Sequence, residues 1–470
     1  MKIERFEVPG LAHYSYVVST EGQAVVIDPK RDVDTYVNYA AANGLKITHI
    51  LETHIHADYA SGARELAHQT GAEMWLSAHD TGEDFEYQFP HHAMKDGDEL
   101  HIAEMRFVAL HTPGHTPEHL AFALYDTKRS SEQPLAMFSG DFVFVGSLGR
   151  PDLLGEAAKL KLAKSLYRSV TEKLTPFADG VEIYPAHGAG SMCGAGMSDR
   201  PQTTLGYERL CNAFFHQKDE NDFVARILGS VPPFPDYYRR MKKVNSDGPK
   251  LLNGLPGDKA LNVAEAKKAI DAGAVVLDLR RPEAFGGAHI PGAINIGGGN
   301  SLAMWASWVL PYETPILLVG DAASDYEQAR RALIRVGLDD IIGYLKGGVI
   351  AWIEAGMDQA HLPQISVEEL HAKRDPYVVD VRGDGEWNGG HIEDAQHLMA
   401  GDVPKRMSEI DKTRDVHVIC GTGYRSSVAS SLLKRAGFRS VFNVVGGMTA
   451  WRKRGLPVTT AAGATCASTR

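Results

Sequence analysis

Thr53–Tyr59 reads THIHADY and directly follows the apolar run Ile47–Leu51. His54, His56 and Asp58 alternate along it, so one short loop brings three potential metal ligands close together. Working outward, three more clusters each follow an apolar strand-like stretch: HTPGHTPEH (His111–His119), FSGDF (Phe138–Phe142) and YPAHG (Tyr184–Gly188). Loops held at the ends of strands in a rigid sheet are where catalytic groups collect. A single histidine is usually a surface or core residue. Four clusters in this order, each at a predicted strand end, point instead to a metal site. Further predicted strands are Ala24–Ile27, Phe107–Leu110, Leu120–Leu124 and Ile183–Tyr184. Glu156–Leu174 carries Leu and Ala at helical spacing, with Lys and Arg on the other face.

The chain has 470 residues, which predicts about three domains. A net charge of -10 gives no reason to expect nucleic acid or an anionic membrane as partner. The start, MKIERFEVPG, has no basic region followed by an apolar one, and no apolar run approaches the roughly 20 residues of a membrane span. Cys193, Cys211, Cys420 and Cys466 form no CxxC pair and no disulfide framework. A cytoplasmic protein is therefore expected, acting on small molecules and assembling as a homo-oligomer.

Val231-Pro-Pro-Phe-Pro235 breaks structure, and Asn245–Pro249 through Leu255–Gly257 reads as a linker. Beyond it the chain repeats at a period of about 100 residues. VVLDLRRPEAFGGAHIPGA (Val275–Ala293) matches YVVDVRGDGEWNGGHIEDA (Tyr377–Ala395), and LKGGVIAW (Leu345–Trp352) matches VVGGMTAW (Val444–Trp451). Each copy also holds one apolar strand between these landmarks, Ile316–Gly320 and Val416–Cys420. Strands alternating with helical patterns predict a parallel α/β sheet in each copy. The expected domains are 1–244, 257–360 and 363–460.

The order of the four ligand clusters resembles the metallo-β-lactamase superfamily, across about Met1–Val244. The resemblance implies a sandwich of two sheets flanked by helices. The dinuclear hydrolases of that family read HxHxDH, and their last His helps hold a second metal. Here the position is Tyr59, whose phenol is a poor substitute for a neutral imidazole. The departure resembles the persulfide dioxygenases, which implies one Fe(2+) per chain held by His54, His115 and Asp141, with zinc as a substitute in crystals. His56, Asp58 and His187 then orient those ligands, or else hold a second metal directly. SLGRPD (Ser147–Asp152) resembles the segment whose Arg contacts the thiol cosubstrate, so Arg150 is either a substrate contact or a structural ion pair. The glutathione-specific members have an aromatic residue soon after the last His. Here a Gly-rich loop leads instead to Cys193, which either reaches the substrate pocket or is inert and buried.

The last repeat carries CGTGYRS (Cys420–Ser426) directly after the strand VHVI. A strand, a tight loop and a helix N-terminus aim backbone N–H groups inward and stabilise a thiolate. Cys420 is the expected nucleophile, cradled by Gly421, Thr422, Gly423, Tyr424 and Arg425. The C-x4-R loop resembles the rhodanese family, as do Asp380, Arg382, His391 and GGMTAW (Gly446–Trp451). In the middle repeat, Gly320 falls opposite Cys420 and Asp325 opposite Arg425, so a degenerate, non-catalytic rhodanese-like domain is expected there. The whole resembles a persulfide dioxygenase–rhodanese fusion that oxidises a low-molecular-weight persulfide with O2 to sulfite and thiol, and forms or uses thiosulfate. The alternatives are a zinc-dependent thioester hydrolase of the glyoxalase II type and a non-catalytic sulfur-relay protein.

Overall fold

The structure is a computed structural model, and it describes residues 1–231 and 234–460. Cys466 lies outside the described residues. The chain divides into two compact units, Met1–Gly254 with Ile334–Gly337, and Leu255–Leu333 with the remainder from Leu338.

The first unit begins with β1 (Lys2–Val8), β2 (His13–Thr20), β3 (Gln23–Ile27), α1 (Asp34–Ala42), β4 (Lys46–Leu51), α2 (Ala63–Thr70), β5 (Glu73–Ser77) and β6 (His92–Met94). These strands form one sheet in the order β1-β2-β3-β4-β5-β6. Then come β7 (Glu99–Ile102), β8 (Met105–His111), β9 (Leu120–Asp126), β10 (Ala136–Gly140), the hairpin β11 (Val143–Phe144) and β12 (Ser147–Leu148), α3 (Glu156–Arg168), β13 (Glu182–Pro185) and β14 (Thr203–Thr204). A second sheet runs β14-β13-β10-β9-β8-β7. Helices α4 (Leu205–Cys211), α5 (Glu220–Ser230) and α6 (Tyr237–Asp247) complete the unit.

The period of two along each strand makes the sandwich. On β2, Tyr16 and Val18 face the second sheet, where Phe107, Phe122, Leu124 and Phe138 meet them. Val17 faces the other way, packing with Val26 against Tyr36 and Ala40 of α1 and Leu66 of α2. On the second sheet, Ala121, Met137 and Ile183 face outward against Leu166 of α3 and Phe223 of α5. Three apolar layers between four layers of structure give helices outside and sheets inside.

The linker expectation needs one correction. Helix α6 runs through Asp247, and Asn245 and Ser246 are buried rather than part of a solvated connector. The Asn-Ser-Asp-Gly composition signals a turn in isolation, but Asn245 finds buried backbone partners that override it.

The second unit holds two five-stranded sheets of the same order. One is Ala260–Leu261, Ile341–Leu345, Ile316–Val319, Val275–Asp278 and Ile294–Asn295, all parallel. The other is Gln364–Ile365, Val441–Val444, Val416–Ile419, Tyr377–Asp380 and Gln396–His397, also all parallel. The duplication extends to detail. Arg280 pairs with Asp278 and Arg382 with Asp380, both at 2.7 Å. Trp352 and Trp451 each donate an indole N–H to a carbonyl six residues on, at 2.8 Å. Among the described residues, no helix is long and apolar enough to cross a membrane.

Candidate functional site

The four ligand clusters come together where the two sheets of the first unit end. THIHADY follows β4, and FSGDF and YPAHG span the ends of β10 and β13. His115 lies instead on the connection between β8 and β9, which are antiparallel. Asp28, just past β3 and at φ +51°, anchors the first loop. Its carboxylate accepts from the Thr53 N–H at 2.8 Å and the Thr53 hydroxyl at 2.9 Å, and it faces His56 Nε2 at 3.2 Å. Glu118 accepts from the Ile55 N–H at 2.9 Å. From α6, Lys242 Nζ donates to the Ile55 carbonyl at 2.9 Å, and Asn245 donates to the carbonyls of His56 and Tyr59 at 2.8 and 2.7 Å.

This scaffolding leaves several buried atoms without a partner, His56 Nδ1, Asp58 Oδ1 and both nitrogens of His13 among them, and three others belong to one convergent set. His54 has its Nδ1 against the Thr53 hydroxyl at 2.9 Å, and His115 has its Nδ1 against the Arg150 carbonyl at 3.0 Å. Asp141 Oδ1 accepts from His187 Nδ1 at 2.7 Å. The remaining His54 Nε2, His115 Nε2 and Asp141 Oδ2 are buried without a hydrogen-bond partner. They converge: Asp141 Oδ2 lies 3.8 Å from His54 Nε2 and 3.3 Å from His115 Nε2, and all three ligand atoms fall within 4.8 Å of one another. Each unsatisfied buried polar atom costs about 1–3 kcal/mol. A cation removes that cost, and two imidazoles with one carboxylate are a donor set that suits it. Burial first, and then neighbouring histidines, push His54 and His115 well below the usual histidine range, so both are neutral, as a ligand must be. Glycine at 140 is required by this approach: it sits at φ +53°, and a Cβ there would lie 2.5 Å from His119 Nε2 and 2.6 Å from the Thr53 hydroxyl.

The residues around a second metal position are engaged differently. His187 Nε2 faces Asp58 Oδ2 at 2.7 Å while its Nδ1 faces Asp141, so both ring nitrogens are taken. Burial disfavours its imidazolium, but Asp141 and Asp58 outweigh burial and hold His187 well above the usual histidine range. The Tyr59 hydroxyl donates to the Asp28 carbonyl at 3.2 Å, and its ring packs on His13 and His56. Cys193 is fully buried, and its Sγ lies within 4.8 Å of ligand atoms of Asp58 and His187, a second group of donors that could hold a metal. Burial, then Asp58 and Asp141, raise its thiol well above the usual range, so it is protonated. Arg150 is also fully buried, forked onto Asp152 at 2.7 and 2.8 Å and donating to the Met192 carbonyl at 3.0 Å. Its guanidinium is used in an internal ion pair, and its carbonyl orients His115.

Sequence reasoning passed over Asp28, Glu118, His119, Lys242 and Asn245. His119 stood in a quoted motif: its Nε2 accepts from the Asp141 N–H at 3.1 Å, and burial lowers it to about 3. Lys242 and Asn245 carried no local signal, because they act from a helix roughly 180 residues away in the chain.

In the last sheet, Cys420 ends the strand Val416–Ile419 and the helix Tyr424–Arg435 starts four residues later. Cys420 is buried, its Sγ accepts from the Gly423 N–H at 3.1 Å, and the Ser426 hydroxyl lies 3.4 Å away. Gly447 lets the chain pass close: a Cβ there would lie 2.3 Å from the Cys420 carbonyl oxygen. The Arg425 guanidinium forks onto Glu386, with Nη2 at 2.7 Å from Oε1. The Tyr424 hydroxyl points away from the thiol and donates to the Gly297 carbonyl at 2.9 Å.

The corresponding loop of the middle domain is filled. Tyr326, opposite Ser426, donates its hydroxyl to the Gly320 carbonyl at 2.9 Å, and its ring stands 3.3 Å from where a Cβ at 320 would be. Asp325 folds onto the Ala322 N–H at 3.0 Å. Restoring the thiol alone is therefore expected to fail. In a Cys420→Ser background, Gly320→Cys should take up no sulfur from thiosulfate, as read by intact mass; a sulfur adduct on residue 320 would refute this.

The chain matches two family profiles. The metallo-beta-lactamase superfamily profile matches residues 8–187, and the rhodanese-like domain profile matches residues 262–355 and 366–454. A metallo-beta-lactamase from Staphylococcus aureus subsp. aureus COL has a similar solved structure: 35% identity, TM-score 0.65, covering 73% of this chain and 98% of that one. A hydroxyacylglutathione hydrolase of Francisella tularensis subsp. novicida is 31% identical over 189 residues, which are 40% of this chain and 68% of that protein. The hydroxyacylglutathione hydrolase GloC of Haemophilus influenzae is 27% identical over 222 residues, 43% of this chain and 92% of the relative. With its two-sheet sandwich, its convergent ligand atoms and these matches, the chain belongs to the metallo-beta-lactamase superfamily and carries two rhodanese-like domains.

Proposed function

We propose that the first domain is a mononuclear non-heme iron persulfide dioxygenase and that the last domain moves sulfane sulfur on Cys420. The observation that carries this reading is the convergence of unpartnered His54 Nε2, His115 Nε2 and Asp141 Oδ2, with Tyr59 where a second-metal histidine would stand. Tyr59 donates to a carbonyl, and His187 is held at both nitrogens between Asp58 and Asp141, while the unpartnered atoms of His54, His115 and Asp141 face one another as a donor set. His54, His115 and Asp141 would hold the iron, which would supply redox chemistry for the reaction of O2 with the sulfane sulfur. The balanced reaction is RSSH + O2 + H2O → RSH + SO3²⁻ + 2H⁺. The chain's own part is to present two neutral imidazoles and a carboxylate in a dry site. It orients the imidazoles through the Thr53 hydroxyl and the Arg150 carbonyl.

Sulfite is then the natural partner of the Cys420 loop. The Cys420 thiolate attacks the sulfane sulfur of thiosulfate, the S–S bond breaks, and sulfite leaves with the electron pair. Cys420-persulfide remains, and the reverse step makes thiosulfate. The Gly423 N–H already donates to Sγ, the atom that would carry the sulfane sulfur.

A second reading is a zinc-dependent thioester hydrolase, and the curated relatives, both hydroxyacylglutathione hydrolases, favour hydrolysis of a glutathione thioester. Metal analysis of anaerobically purified protein decides between the two, together with oxygen uptake on glutathione and coenzyme A persulfides and hydrolysis of a glutathione thioester. About one iron per chain with persulfide-dependent oxygen uptake is expected. Two tightly bound zinc ions with thioester turnover would overturn the dioxygenase reading.

A further inference from the structure

We propose that Glu386 is a displaceable internal anion of the Cys420 site, and that it sets how strongly the last domain takes doubly charged sulfur oxyanions. The inference rests on Cys420 being the sulfur carrier. Glu386 lies on the helix Asp384–Asn388 and reaches across to the guanidinium of Arg425. The pair sits over the loop directly after the nucleophile: a Cβ on Gly421 would lie 3.0 Å from Arg425 Nη2 and 3.8 Å from Glu386 Oε1. Thiosulfate attacked at its sulfane sulfur places a sulfonate, and then a departing sulfite, beside this loop. Arg425 is the charge best placed to receive that group, and a carboxylate now occupies its fork.

Exposure separates this ion pair from the structural one beside it. Arg382 and Asp380 are 2% and 0% exposed at their side chains, whereas Arg425 and Glu386 are 24% and 45% exposed. A partly exposed pair is weak and easily opened, so an arriving dianion can displace Glu386. The middle domain gives independent support. Counting from the aligned Asp278 and Asp380, Ala284 stands opposite Glu386, just as Asp325 stands opposite Arg425. Where the arginine and the thiol are gone, the carboxylate that faces the arginine is gone as well.

The test is steady-state sulfur transfer from thiosulfate to dithiothreitol by the full-length protein, compared with Glu386→Gln, Glu386→Asp and Cys420→Ser. In Glu386→Gln, KM for thiosulfate should fall roughly two- to fivefold, the scale of a partly exposed ion pair. Inhibition by sulfite should tighten to match, and KM for uncharged dithiothreitol should not follow. Glu386→Asp keeps the charge and should stay near wild type, which separates loss of charge from loss of packing. An unchanged or raised thiosulfate KM in Glu386→Gln, or equal effects of Gln and Asp, would overturn the proposal and leave Glu386 as a support for Arg425. If the wild type shows no transfer above Cys420→Ser, the sulfur-carrier reading itself fails and this inference falls with it. If the wild type transfers and Cys420→Ser does not, a null result at Glu386 counts against Glu386 alone.

Discussion

Asp141→Asn is expected to strip the metal from the first domain and to lower persulfide-dependent oxygen uptake at least about 10³-fold, since even partners outside the ligand set are worth about 10–100-fold. The substitution is nearly isosteric and leaves no cavity. Asp141 serves two neighbours at once: Oδ1 accepts from His187 Nδ1 at 2.7 Å, and Oδ2 faces His54 and His115 without a partner. An amide cannot serve both. With its oxygen toward His187 it turns an N–H donor on the cation, and with its oxygen toward the cation it sets that donor against His187. The negative charge is lost in either orientation. Metal content should drop well below one per chain, while thiosulfate-to-thiol transfer through Cys420 stays at wild-type level. Retention of full metal content and oxygen uptake would remove Asp141 from the ligand set.

Cys420→Ser is expected to do the converse. Sulfur transfer should fall by at least about 10³-fold, the scale seen when a nucleophile is removed from a site that otherwise stays intact. A serine hydroxyl is not ionised at neutral pH and cannot hold a sulfane sulfur, although it can still accept from the Gly423 N–H that now reaches Sγ at 3.1 Å. Folding should therefore survive. Oxygen uptake, assigned to His54, His115 and Asp141, should persist, and the products of persulfide oxidation should change from a sulfite–thiosulfate mixture to sulfite. If oxygen uptake stops as well, Cys420 delivers substrate to the first domain and the two chemistries are not independent.

The parts legible in the sequence are those encoded by neighbours in the chain. THIHADY, HTPGHTPEH, FSGDF and YPAHG each place a ligand within a few residues of a strand end, so their order pointed to a metal site and resembled the metallo-β-lactamase superfamily, and that resemblance implied the sandwich. Tyr59 was legible as a break in that pattern because it replaces one residue type by another at a fixed offset. The CGTGYR loop and its altered copy at Gly320 were legible for the same reason, since the duplication gave each position its own comparison.

Tertiary structure decided what depends on groups far apart in the chain. That Arg150 is fully buried and donates to the Met192 carbonyl, some 40 residues on, could not be read from SLGRPD, because it depends on what the fold brings near. The Asn-Ser-Asp-Gly stretch that ends α6 looked like a connector because those residues favour turns in isolation. Asn245 is helical because the carbonyls of His56 and Tyr59, about 190 residues earlier, need its amide. The occlusion of the middle loop by Tyr326, and the fork of Arg425 onto Glu386 some 40 residues away, likewise exist only once the strands lie side by side. Local composition determined which residues can do chemistry. Packing determined which of their atoms are left free to do it, because a buried polar atom is satisfied by whatever the fold brings near, at any distance along the chain.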